Sequence, residues 1–277
     1  MMKIQGKTAV IAGGSSGIGK GIALALAEKG AKHIVLLARR QSKLDEAAKE
    51  IEATGTAVST HSLNLGDSDA VQATAKKIRQ AIGTPDIIVN SAGAGSLRSL
   101  VHDNDDNIVQ HIESTCYAAF FLTRAFLGEM LQRDSGSIVM VGSPAINVNI
   151  GAPAYMSSRA AIWGFARSLR YDLSNSKLHV LYAEPSLVYD TDYFGSYPGT
   201  QEIMPVAFRS PAFRFMHQTS KEVGLMVARG IERNGRYAAH WISHAMRLTG
   251  SPFLRFYEWF FRKTSLTPEA GGPLFAK

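Results

Sequence analysis

Residues 8–29 read TAVIAGGSSGIGKGIALALAEK. A short run of small and β-branched residues, Thr8–Ala12, passes without a break into Gly13-Gly14-Ser15-Ser16-Gly17-Ile18-Gly19 and then into helical spacing as far as Lys29. This is a strand, a tight glycine turn and a helix. Glycines here let the backbone bend sharply and approach a ligand closely. The helix start then presents free N–H groups and the positive end of a dipole, which suits a pyrophosphate. Strand–helix turns favour glycine anyway. The position of the cluster, closing the first strand and opening the first helix, is what gives it meaning.

Working outward, the same alternation continues to about residue 184. Thr8–Ala12, His33–Ala38, Ala57–Ser62, Ile87–Asn90, Ser137–Val141 and Leu178–Ala183 read as strands. Gly17–Lys29, Lys43–Ala53 and Asp67–Ile82 read as helices between them. In Lys43–Ala53 the apolar Leu44, Ala47, Ala48 and Ile51 share a face, with Asp45, Glu46, Lys49 and Glu50 elsewhere. Repeated strand–helix–strand units predict a Rossmann-type, doubly wound parallel sheet in a three-layer α/β/α sandwich. Residues 186–218 lose the periodicity and read as a substrate lid. Ser220–Glu232 returns to helix, and Tyr237–Ile242 reads as a last strand. The expected organisation is one domain over 1–243 and a C-terminal amphipathic extension over 244–277.

The 277 residues, 45% of them hydrophobic, suffice for one large core. The single cysteine, Cys116, excludes an internal disulfide framework and a cysteine-rich metal site. The eight histidines show no paired metal spacing; His240 and His244, four apart, read as incidental. The start lacks the layout of a secretory signal, and no stretch of about 18 apolar residues predicts a spanning helix. The net charge of +7 comes with no nucleic-acid motif, so a basic surface and a polyanionic cofactor account for it.

Four motifs in order resemble those of the short-chain dehydrogenase/reductase family, over about residues 4–235. They are the Gly-x-x-x-Gly-x-Gly turn, Asn90-Ser91-Ala92-Gly93 after the fourth strand, Ser143 after the fifth, and Tyr155-Met156-Ser157-Ser158-Arg159 in place of Tyr-x-x-x-Lys. The resemblance implies hydride transfer between a nicotinamide and a carbonyl or alcohol, with Tyr155 as acid/base and Ser143 on the substrate oxygen. It implies cofactor contacts from Gly13, Ser15, Ser16, Gly17, Ile18 and Gly19, and from Asn90, Ala92, Gly93, Tyr155 and Arg159. Pro185 and Val188, with Thr191 or Asp190, are the expected contacts to the carboxamide edge. After the second strand, Ala38-Arg39-Arg40 lacks the acid that would hold a ribose 2′-hydroxyl. Arginine can pair with a 2′-phosphate instead, which points to NADPH/NADP+, with Lys43 in support. Asn64 and Leu65 stand at the expected adenine edge.

Two departures bear on activity. Arg159 replaces the lysine expected at the nicotinamide ribose; it keeps the charge but cannot readily give up a proton. Thr115, within His111–Ala119, aligns where the family carries a catalytic asparagine. Two functions follow. One is a reductase of an apolar, possibly lipid, ketone; the other is a weak or inactive NADPH-binding sensor or scaffold.

Tyr189, Tyr193, Phe194, Tyr197, Phe208, Phe213 and Phe215 crowd the lid and suit a hydrophobic substrate or packing on the domain itself. Ser251-Pro252 opens a helix whose Phe253, Phe256, Tyr257, Phe260 and Phe261 form one face beside basic flanks. Such a helix lies in a membrane interface, or docks on protein. The Gly-Gly-Ser-Ser-Gly turn, Ala38-Arg39-Arg40, Asp190-Thr191-Asp192 and Gly250-Ser251-Pro252 also resemble those of 3-ketosphinganine reductases, which implies a long-chain ketone substrate and a cytoplasmic protein peripheral on the endoplasmic reticulum. The family resemblance implies a homodimer or homotetramer through the helices of Tyr155 and of residues 112–131, and no nucleic-acid partner is expected.

Overall fold

The computed structural model describes residues 1–95, 97–147, 152–191, 214, 216–241 and 243–244. Its main sheet has seven strands: β1 (Thr8–Ala12), β2 (His33–Ala38), β3 (Ala57–Ser62), β4 (Ile87–Asn90), β5 (Gly136–Val141), β6 (Leu178–Glu184) and a last short strand, β9 (Tyr237–Ala239). Their order is β3-β2-β1-β4-β5-β6-β9, every neighbouring pair parallel. The order reverses between β1 and β4. At such a switch point the connecting helices leave on opposite faces and open a crevice beyond the strand ends.

Residues on alternate sides of each strand enter separate cores, as the twofold periodicity of a strand requires. Ile11 and Leu36 pack against α1 (Gly17–Glu28), α2 (Gln41–Glu52) and the late helix Ser220–Glu232. Val10 and Leu37 pack against α3 (Ser68–Ile82), α5 (Ala118–Arg133) and α6 (Pro153–Asp172). Helices cover both faces, so β4, β5 and β6 are buried along their whole length. Each fully buried Ile or Leu contributes about 1.5–3 kcal/mol.

The strands and most helices fall where the sequence places them, within a residue or two. Three features differ. The last strand stops at Ala239, short of the expected Ile242. The stretch expected as one helix near 111–119 is instead α4 (Asp105–His111), a π-helical turn (Ile112–Tyr117), and then α5. After β6, a two-stranded parallel sheet forms from β7 (Leu187–Val188) and β8 (His217–Gln218). The late helix, α7 (Ser220–Glu232), starts with a full capping box between Thr219 and Glu222. It lies against α1, where a Cβ on Gly21 or Gly224 would collide with the partner helix backbone. The lid aromatics Tyr193, Phe194, Tyr197, Phe208, Phe213 and Phe215 and the helix over 251–263 lie outside the described residues. No described helix is long and apolar enough to cross a membrane.

Candidate active site

The C-terminal ends of β1 and β4 meet at the glycine turn. Gly13 has φ +74°, and a Cβ there would stand 2.9 Å from Cα and N of Ala92. Ser91 donates from Oγ to Ala12 O at 2.7 Å, tying the two strand ends together. Ser15 is buried and Ser16 is the N-cap residue of α1, with no side-chain cap bond. Gly17, at φ +51°, opens the helix, followed by Ile18 and Gly19. The first turn holds no acid, so the helix dipole there is uncompensated and suits an anion. Thr191 closes this cradle from the other side: a Cβ on Gly17 would lie 3.1 Å from its Cγ2.

Arg39 and Arg40 follow β2 and are exposed. Lys43 is held by Glu46, Nζ to Oε2 at 2.7 Å, and this bond draws the Glu46 carboxyl below its ordinary value. Asn64 accepts from Gly66 N–H through Oδ1 at 3.0 Å, closing a turn after β3, while Leu65 is buried. These residues line the side of the sheet on which the expected adenosine end would lie.

The chemistry-bearing side chains gather beyond β4 and β5. Tyr155, in the first turns of α6, donates from Oη to Ser143 Oγ at 3.0 Å. Ser143 lies two residues beyond β5 and also accepts from Ala145 N–H at 3.2 Å. One turn further along α6, Arg159 places Cζ 5.3 Å from the Tyr155 ring centre. Its Nη1 donates to Val141 O over 3.4 Å, and its Nε is buried with no partner. Its Nη2 occupies the space that a side chain on Gly93 would need. The guanidinium thus lies between Val141 O at the end of β5 and the bare backbone at Gly93.

Thr115 sits in the π-turn, 3% exposed, with Oγ1 lacking a partner. It lines a narrow internal gap with Asn90, Ala92, Ala118, Val141 and Ile162. Asn90 donates to Thr123 Oγ1 at 3.1 Å, and its Oδ1 is likewise buried without a partner. The next residue, Cys116, faces Ser158 O at 3.6 Å. Burial pushes its thiol up, against the opposing pull of Arg159, so the thiol stays protonated and unreactive.

Beyond β6, Pro185 leads into β7; Ser186 N–H donates to Gln218 at 2.7 Å, and Val188 is buried. Thr191 turns its hydroxyl onto Val188 O at 3.2 Å. Asp190, the alternative to Thr191 at the carboxamide edge, does other work. Its carboxylate accepts Ser220 N–H at 2.8 and 3.0 Å and Ser220 Oγ at 2.9 Å, pinning this loop to the start of α7.

Two of the buried polar residues beside Ser143 and Tyr155, Glu184 and His111, had no reading from the sequence. Glu184, fully buried, ends β6 beside Gly142 and accepts from Asn147 Nδ2 at 3.2 Å, bracing the turn after Ser143. A carboxylate closing a buried apolar run was the available signal. The other is His111, 1% exposed, whose ring stands edge-on to Tyr155. Nothing in the helical spacing distinguished it. Among the described residues, no group of His, Cys, Asp and Glu could hold a metal, and the His240–His244 pair forms no such site.

A family model described as short chain dehydrogenase matches residues 7–201. The chain belongs to the short-chain dehydrogenase family. It is 34% identical over 165 residues to short-chain dehydrogenase/reductase 3 of Homo sapiens, covering 59% of this chain and 55% of the relative. It therefore spans little more than half the length of that relative. It is 30% identical over 191 residues to an NADP-dependent 3-hydroxy acid dehydrogenase of Schizosaccharomyces pombe, covering 68% of this chain and 74% of the other. Among solved structures, a metagenomic short-chain oxidoreductase in complex with NADP matches at TM-score 0.63 and 31% identity, over 69% of this chain and 88% of that one. A short-chain dehydrogenase from Sphingobium yanoikuyae in complex with NADPH shares the fold at TM-score 0.73, with 23% identity over 84% and 87% of the two chains.

Proposed function

We propose that the chain is an oxidoreductase that reduces a ketone on an apolar, long-chain substrate with NADPH. The observation that carries this reading is the 3.0 Å bond from Tyr155 Oη to Ser143 Oγ, set beside the β1–β4 crevice. The residues fit the cofactor. Gly13 and Gly17 hold the positive φ values of a close-approach turn, α1 offers an uncapped N-terminus, and two exposed arginines follow β2. The family relatives whose names or titles include NADP support the choice.

NADPH, when bound, supplies the hydride. The turn from Gly13 to Gly19 would hold its pyrophosphate, and Arg39 and Arg40 would pair with its 2′-phosphate. Ser143, fixed by Ala145 N–H, turns its hydroxyl to the substrate carbonyl oxygen. Tyr155 gives that oxygen a proton, so carbonyl, hydride and proton add up to an alcohol. Arg159 keeps a positive charge over the phenol ring while gripping Val141 O.

The test is NADPH oxidation against methyl ketones of graded chain length. Tyr155→Phe should lower kcat by about 10²-fold or more, the usual contribution of a positioned acid. Turnover unchanged in that variant would remove Tyr155 from the chemistry. A second reading, an NADPH-binding sensor or scaffold with little turnover, draws on Arg159, whose hydrogen-bonding groups face strand carbonyls and an apolar interior. Because Arg159 stands where the family carries lysine, that reading expects turnover to rise in Arg159→Lys.

Assembly and location are part of the proposal. Tyr117 and Phe120 are exposed on the π-turn and α5, and Phe120 stacks on Phe165 of α6 at 4.0 Å. This face would join two copies. The cytoplasmic, membrane-peripheral placement rests on the sequence resemblance and on the spacing of Phe253, Phe256, Tyr257, Phe260 and Phe261, which lie outside the described residues.

A further inference from the structure

We propose that His111 is a positioning residue for Tyr155, setting the plane of the phenol ring from which the proton leaves. The proposal rests on the reading of Tyr155 as proton donor. His111 is the last residue of α4 and is 1% exposed. Its ring centre lies 6.0 Å from that of Tyr155, the planes at 78°. This is the edge-to-face arrangement that aromatic quadrupoles favour. Arg159 supplies the second restraint, with Cζ 5.3 Å from the centre of the same ring.

The surrounding chain is shaped to admit the imidazole. Gly95 has φ +119°, and a Cβ there would run into Nε2, Cδ2 and Cε1 of His111. Gly93, two residues earlier, makes room in the same way for Arg159 Nη2. The segment after β4 thus has no side chain at the two positions where a buried cationic or aromatic group approaches Tyr155. Ser114 staples this segment to the end of α4, accepting from Ala94 N–H at 2.9 Å and donating to Gln110 O at 2.6 Å. A π-turn, Ile112–Tyr117, follows directly. His111 and Thr115, four residues apart on one helical face, are both buried, while Ile112, Glu113 and Ser114 stay part-exposed. Single π-turns inside helices recur at functional sites.

The test compares His111→Ala with His111→Phe, which keeps an aromatic edge. Two readouts are taken: the kcat and KM for a ketone with the NADPH Kd, and the ¹⁹F resonance of Tyr155 in protein labelled with 3-fluorotyrosine. The chain has nine tyrosines, so the signal is assigned by its loss in Tyr155→Phe. In His111→Ala, kcat should fall about 10- to 100-fold, the scale for a misplaced catalytic group, with KM and Kd little changed. The Tyr155 resonance should move, and His111→Phe should restore most of both. Should His111→Ala not fold, His111→Leu replaces it, keeping bulk without the aromatic edge. An unmoved Tyr155 resonance, or equal losses in the Ala and Phe variants, overturns the proposal. If wild type turns over no ketone, the proposed function fails while the resonance still decides the role of His111: a shift supports it, and no shift refutes it.

Discussion

Gly13→Ala, set against Gly55→Ala, separates the two demands placed on the cofactor turn. Both glycines have positive φ, +74° and +88°. An alanine at either position pays the left-handed penalty, about 1–2 kcal/mol. At Gly55 the added Cβ meets nothing within 4 Å, so that penalty is the whole cost. At Gly13 it meets Cα and N of Ala92 at 2.9 Å, backbone atoms at the end of β4 that cannot swing aside. Overpacking of that kind adds about 1–3 kcal/mol, for a total near 2–5 kcal/mol. Urea unfolding at 25 °C measures the difference. Repeating it with NADPH at about a hundred times its Kd should add about 2.7 kcal/mol to wild type and to Gly55→Ala. Gly13→Ala should lose most of that increment, because the displaced strand end borders the pyrophosphate cradle. Equal stability losses and equal NADPH increments in the two variants would refute the reasoning.

Replacing Arg39 and Arg40 together by Ala should weaken NADPH binding at least tenfold and leave NADH binding nearly unchanged, as read by cofactor fluorescence titration. Asp190→Ala removes the acceptor of three bonds at the start of α7; thermal unfolding should show a loss of about 0.5–2 kcal/mol. His179 is held between Ser137 Oγ at 2.9 Å and Gly235 O at 2.7 Å, and burial holds its pKa below the ordinary 6.5. The unfolded chain therefore binds the proton more readily, and the stabilising contribution, complete above pH 6.5, drains away as pH falls toward the depressed value. The slope is at most about 1.4 kcal/mol per pH unit for this one group. Stability measured from pH 7.5 to 5 should fall less steeply in His179→Gln, with His33, His61 and His240, also lowered by burial, leaving a residual slope.

What sequence reading reached is what neighbouring residues decide among themselves. The Thr8–Ala12 strand, the turn from Gly13 to Gly19 and the helix after it are contiguous, and alternation of strands and helices implies parallel pairing. Arg39 and Arg40 stand out by their place at a strand end, whereas Ser143 and Tyr155 were singled out by the family resemblance. The tertiary structure decided what depends on distant groups arriving together. Asp190 meets Ser220, thirty residues on, so it caps a helix and leaves Thr191 against the glycine turn. Arg159 keeps its charge, as any arginine must, but its direction is set by Val141 O and the bare space at Gly93. The π-turn is the plainest case. His111 stands against Tyr155 just before it and Thr115 lines a gap with Asn90 within it, and amphipathic spacing shows neither the turn nor these neighbours. Local patterning specifies elements because its energies are local; the aim of a buried side chain is set by the space its distant neighbours leave.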